Sequence, residues 1–265
     1  MKPTQRLTMA VVGIAATLWL SGCGGGSSTA SEPGTPNNPA NPNNPSLPST
    51  NRIRLFQHGD EFTYTISGVA LYLGQRFDVS GTSTDRITSA GAGVLRVKRE
   101  TRLHLRRGSQ TYSDNSQAIY YISQDRQSRE VTLIGYAIDE DDPITNSTLP
   151  YRVVVPGIIH ENSNFSYSVE FEDGRILSET WQIGTIEPVS TYAGQYPCYR
   201  MRFDGYRYYP APFREAQEAG TCWFSPQLGT MTRIESNEQG WLDGEPVEYR
   251  LTYILQRTNV SPNSP

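Results

Sequence analysis

Lysine is nearly missing from this chain: Lys2 and Lys98 are the only two in 265 residues. Histidine and cysteine are scarce as well, with three of each. Without clustered lysines, and at a net charge of −4, the chain has no general attraction to nucleic acid or to an anionic lipid surface. Three scattered histidines (His58, His104 and His160) and widely spaced cysteines form no metal-ligating pattern. No apolar run is long enough to cross a bilayer comfortably as a helix. No Gly-x-Ser-x-Gly elbow and no glycine-rich phosphate loop is present, so nucleophilic and nucleotide chemistry lack their usual marks. The cofactor and metal expectations are therefore none, and the catalytic residues expected are none.

The amino terminus is the richest stretch. Lys2 and Arg6 precede an apolar run from Leu7 to Leu20, and Leu20-Ser21-Gly22-Cys23 closes it with small residues and a cysteine. A short basic start, a short apolar middle and a small-residue end make a secretory signal. The last four residues resemble the lipobox of bacterial lipoproteins. The resemblance implies cleavage before Cys23, a diacylglycerol on its sulfur and an acyl chain such as palmitate on the new amino terminus. Several chains hold a protein to a membrane durably where one does not. Gly24, in place of aspartate, implies sorting to the outer membrane, with the protein facing the periplasm. Loss of Lys2 and Arg6 with the signal brings the net charge to −6.

Residues 23–51 read as a lipidated cysteine and a tether. Pro33, Pro36, Pro39, Pro42, Pro45 and Pro48 recur at every third position, the repeat of a polyproline II helix. The segment offers nothing apolar to bury. Its reach lies between roughly 30 Å as a coil and roughly 85 Å as a rod. Residues 52–259 form one domain, and 260–265 a disordered tail.

Within that domain the apolar residues alternate. Phe62, Tyr64 and Ile66 do so, as do Leu95, Val97, Thr101, Leu103 and Leu105; Tyr167, Val169 and Phe171; and Tyr249, Leu251, Tyr253 and Leu255. Period two means strands with one buried and one wet face. Asp173-Gly174, Asp204-Gly205, Asp243-Gly244 and Arg107-Gly108-Ser109 read as reversals. One helical hint, Pro212 to Gly220, begins with proline and ends with glycine. The fold class expected is all-β: an antiparallel meander of about nine to eleven strands curled into an open or partly closed barrel.

In an oxidising compartment, Cys198 and Cys222 are expected to form a disulfide closing a loop of roughly 25 residues, worth about 3.5 kcal/mol in the chain-entropy model. Two thiols or a metal pair are the alternatives. Arg96, Lys98, Arg102 and Arg106 share a strand face with His104, and Arg99 and Arg107 lie beside them. Such a stripe can guard a sheet edge. It can also bind anionic groups of envelope polymers, for which arginine is suited. Asp139–Asp142 before Pro143 reads as a solvated turn, and Glu170, Glu172, Asp173 and Glu179 as a wet hairpin face.

Three pieces carry a second resemblance: Gly59-Asp60-Glu61-Phe62-Thr63-Tyr64, the segment Glu187 to Cys198, and Trp223-Phe224-Ser225-Pro226-Gln227-Leu228-Gly229. They resemble uncharacterised bacterial envelope lipoproteins with a curled antiparallel sheet, a fold broadly similar to the lipoprotein-localisation carriers. The resemblance implies a fold more than a function. The expectation is a non-enzymatic, membrane-anchored protein. It would bind a lipid, a glycan or an envelope protein, in the apolar concavity of the sheet or on the basic face, and no nucleic acid.

Overall fold

The structure, a computed structural model, describes residues 51–209, 214–242 and 245–261. Among them there is no helix. Thirteen strands follow one another: β1 (Glu61–Tyr72), β2 (Gln75–Gly91), β3 (Val94–Arg107), β4 (Gln110–Gln124), β5 (Val131–Ala137), β6 (Thr145–Asn146), β7 (Arg152–Val155), β8 (Asn164–Glu170), β9 (Ile176–Thr191), β10 (Gly194–Tyr209), β11 (Arg214–Ser225), β12 (Thr230–Leu242) and β13 (Glu245–Thr258). All pair antiparallel in one sheet of order β6-β5-β4-β3-β2-β1-β13-β12-β11-β10-β9-β8, with β7 beside β5. The all-β curled sheet expected from alternation is present. The strand number exceeds nine to eleven because the short β6 and β7 carry too few residues to show a period.

The sheet is not closed. Its two ends meet at a bridge between Ser147 and Phe171, backed by Thr148 N–H donating to Glu170 O at 2.7 Å. Elsewhere β7 and β8 are joined by no ladder among the described residues. Curling buries one face. Trp181 stacks on Phe203 with ring centroids 4.9 Å apart, and Tyr136 meets Phe171 edge-on at 4.9 Å. Tyr64, Ile66, Leu103, Leu105, Leu251 and Leu255 join the same core, so the alternating positions read from the sequence are the buried ones.

The reversals divide. Gly108 (φ +59°) turns β3 into β4, and Gly174 (φ +81°) turns β8 into β9, both in a left-handed conformation that glycine adopts without strain. Asp204-Gly205 is not a turn: both residues lie inside β10, paired with β9 and β11. Asp243-Gly244 lies outside the described residues. The helical hint is also overturned. Arg214–Gly220 belong to β11, which pairs along its length with β10 and with β12, while Pro212 and Phe213 lie outside the described residues. Two ladders outweigh the modest helix propensity of a single short segment.

The expected disulfide is absent: Cys198 and Cys222 are both buried thiols. Register explains it. Cys222 is opposite Met201, so Cys198 stands three residues further along β10. That offset separates the two Cα atoms by roughly 11 Å, beyond the ~7 Å a disulfide can span. Cys198 Sγ instead lies 3.2 Å from Thr232 Oγ1, and burial pushes its thiol pKa up to about 12. Trp223 covers no disulfide. Its indole Nε1 donates to Glu187 at 2.5 Å, and the guanidinium of Arg233 lies 4.9 Å from its ring.

Candidate functional site

Strands β8 to β12 present a polar face. One row of in-register neighbours runs Ser168, Ser178, Tyr206, Gln217, Gln239 and Glu248. The adjacent row runs Ser166, Thr180, Asp204, Ala219, Asn237 and Arg250. Period two puts these on the face opposite the core. All of them but Glu248 and Arg250 line a trough of about 790 Å³, walled on one side by Arg152 and Val153 of β7 and bordered also by Tyr167, Glu179, Gly205 and Glu218 of the intervening row. A second hollow of about 460 Å³ continues it past Glu215, Trp241 and Pro246. The two share Tyr206, Gln217 and Gln239, so they form one groove running across the strands. Trp241 is 51 % exposed and Tyr206 37 %. Serine and threonine hydroxyls and glutamine and asparagine amides each donate and accept hydrogen bonds. The trough is thus dense in two-way hydrogen-bonding groups and contains two accessible aromatic rings.

Directly behind it lies an ionic cluster. The core-side row beneath the trough runs Tyr167, Glu179, Gly205, Glu218, Glu238 and Tyr249. Arg207, the next inward residue on β10, lies across it. Its Nη1 donates to Glu238 Oε2 at 3.2 Å, its Nη2 donates to Glu218 Oε2, and Glu179 Oε1 is 4.0 Å away. Trp181 Nε1 donates to the other oxygen of Glu179 at 3.1 Å. All four charged side chains are at most 4 % exposed. One guanidinium faces three carboxyls, so the cluster cannot hold every acid ionised cheaply. Burial raises the pKa of Glu218, and burial together with the Glu218 charge takes Glu238 up to about 8 against the pull of Arg207. Glu179 was expected on a wet face and is instead part of this core.

A second buried pair lies on the other half of the sheet. Arg99 grips Asp85 with two hydrogen bonds of 2.6 and 2.9 Å. Burial raises the Asp85 pKa although Arg99 opposes it. Arg54 holds Asp60 in the same fork, at 2.6 and 2.9 Å, and pins the segment before β1.

Arg99 is therefore not part of the basic stripe. The stripe itself is divided. Arg96 pairs with Glu140 at 2.7 Å, and Lys98 reaches Glu140 at 3.0 Å and Glu100 at 2.9 Å. The exposed acid turn Asp139–Asp142 thus neutralises one end. Arg102 is exposed, and Arg106 stands 3.8 Å from Asp78. His104 shares a hydrogen bond of 2.9 Å with Ser113, and all three histidines are exposed. Cys23, the residue expected to carry lipid, lies outside the described residues. Among those described, no group of three or more His, Cys, Asp or Glu residues could hold a metal ion.

Comparison with known proteins adds little. No protein-family model matches the chain, and no curated protein does. Three solved structures are similar at 12 % identity. A candidate exported protein with a YmcC-like fold from Bacteroides fragilis matches with a TM-score of 0.37, over 79 % of this chain and 99 % of that one. A candidate lipoprotein from Parabacteroides distasonis matches with a TM-score of 0.36, over 77 % and 96 %. The hypothetical lipoprotein YmcC from Escherichia coli matches with a TM-score of 0.28, over 75 % and 89 %.

Proposed function

We propose that this is a lipid-anchored binding protein of the bacterial envelope, without catalysis, that holds an envelope partner on the polar face of its sheet. The observation that carries the binding half is the continuous trough across β8–β12, whose size falls in the range of ligand sites, roughly 300–1,000 Å³. The signal and Cys23 support the anchoring half, with the outer membrane as its place. A non-catalytic role is favoured because the acids with raised pKa, Glu218 and Glu238, are buried and tied to Arg207, although Glu218 borders the trough. A carrier of acyl chains would instead use the apolar face. That face is crowded by Trp181, Phe203, Tyr136 and Phe171 and crossed by buried ion pairs, which suit a lipid tail poorly.

The test is capture of partners from the host's envelope by the full mature chain. Gln217→Arg, which fills the trough with a long cation, should abolish capture, while Arg102→Glu with Arg106→Glu should leave it intact. The opposite pattern would transfer the role to the basic strand face.

A further inference from the structure

The chemistry of the trough also indicates what it takes. We infer that it binds an uncharged glycan chain lying across the strands, with Tyr206 and Trp241 as stacking platforms; this rests on the trough being the binding surface. Four features argue for it together.

The first is direction. A strand-like peptide is recognised at a sheet edge, by main-chain pairing. The trough instead crosses five strands, and four of them, β9 to β12, are laddered on both sides; only β8, at the end of the sheet, has a neighbour on one side alone. Over β9 to β12 only side chains are offered. A ligand recognised by side chains alone must itself be rich in donors and acceptors.

The second is composition. Serine, threonine, asparagine and glutamine dominate the two rows, and each can both give and accept a hydrogen bond. A sugar hydroxyl does the same, so paired hydroxyl–amide contacts leave neither side unsatisfied.

The third is the pair of aromatics. The C–H face of a pyranose ring is apolar and slightly positive, whereas the face of an aromatic ring is negative. Tyr206 and Trp241 are two strands and two residues apart, since Tyr206 is opposite Gln217, Gln217 opposite Gln239, and Trp241 two places further on. That places their Cα atoms roughly 12 Å apart, a distance that a short run of linked pyranose rings covers. Trp241 is half exposed, whereas Trp181 and Trp223 are buried.

The fourth is charge. Asp204 and Glu215 line the groove against Arg152, while Glu248, also in its lining, is paired with Arg250 at 2.5 Å. A phosphorylated or uronic-acid polymer would meet this acidic surplus at a cost. An uncharged polymer would not.

The experiment uses the full mature chain in detergent. The probes are maltohexaose, cellohexaose, chitohexaose and the uncharged polysaccharide fraction of the host's own envelope, with polygalacturonate as the charged comparison. Binding is read by affinity electrophoresis and by the fluorescence of Trp241. At least one uncharged probe should bind and shift that emission, and polygalacturonate should not. Trp241→Ala and Tyr206→Ala should each weaken binding roughly tenfold or more. Trp241→Phe should restore most of it. Tyr192→Ala, which alters an exposed aromatic in the β9–β10 turn, should change nothing. If no uncharged probe binds while Gln217→Arg still abolishes partner capture, the ligand class is wrong and the trough stands as a site for another partner. Glycan binding indifferent to Trp241→Ala and Tyr206→Ala would overturn the placement of the site.

Discussion

Arg207 shows how much one side chain can decide. It is the single cation among Glu179, Glu218 and Glu238, and all are sealed from water. Breaking a buried ion pair from one side strands the other charge, so Arg207→Met should cost about 3–5 kcal/mol, read as a lowered midpoint in denaturant at unchanged slope. Glu238 should make stability depend on pH. Its carboxyl is raised from 4.5 to about 8 in the folded chain. Between those values the folded state binds a proton that the unfolded state has released, so stability falls as pH rises, by up to about 1.4 kcal/mol per pH unit. That contribution is complete below pH 4.5 and gone above pH 8. Glu238→Gln should flatten the slope in that window, as urea titrations at pH 5, 6, 7 and 8 would reveal. Cys198 and Cys222 offer a simpler check. Both should be unreactive to a thiol reagent in the native chain and titrate as two thiols after unfolding. A single unfolding step that releases no thiol would mean they are oxidised.

At the scale of strands, parity was the signal in plain view. Odd positions of β3 point inward, with Val97, Leu103 and Leu105 buried, and Arg99 occupies the odd place between Val97 and Thr101. Grouping Arg99 with its basic neighbours followed composition where alternation pointed the other way. The same parity places Arg207 with Met201 and Phe203, and Glu179 with Leu177 and Trp181. A buried cluster was therefore legible strand by strand, although which acids meet which arginine was not. Local turn chemistry was a weaker guide, because Asp204-Gly205 carries a turn signature inside a strand. Small residues within strands serve close packing instead. A Cβ added at Gly220 of β11 would come within 2.2 Å of Glu235 O and 2.7 Å of the Phe203 ring. Gly220→Ala should therefore destabilise by about 1–3 kcal/mol through overpacking, measured by thermal or denaturant unfolding.

For the whole molecule, the prediction concerns its address. Radiolabelled palmitate fed to the host should mark the mature chain, and Cys23→Ser should abolish the label and move the protein from the membrane to the soluble fraction. The alternating strands were determined by the sequence alone, because each is written in residues adjacent along the chain and needs no distant partner; the lipobox and the tether are proposed from local patterns of the same kind. The trough was not. Ser178, Tyr206, Gln217 and Gln239 come from four strands and become neighbours only through inter-strand register. The missing disulfide has the same cause: a three-residue offset between β10 and β11 separates two cysteines that spacing alone would join. Register is set by how thirteen strands share one buried face, a collective packing outcome that no single segment encodes.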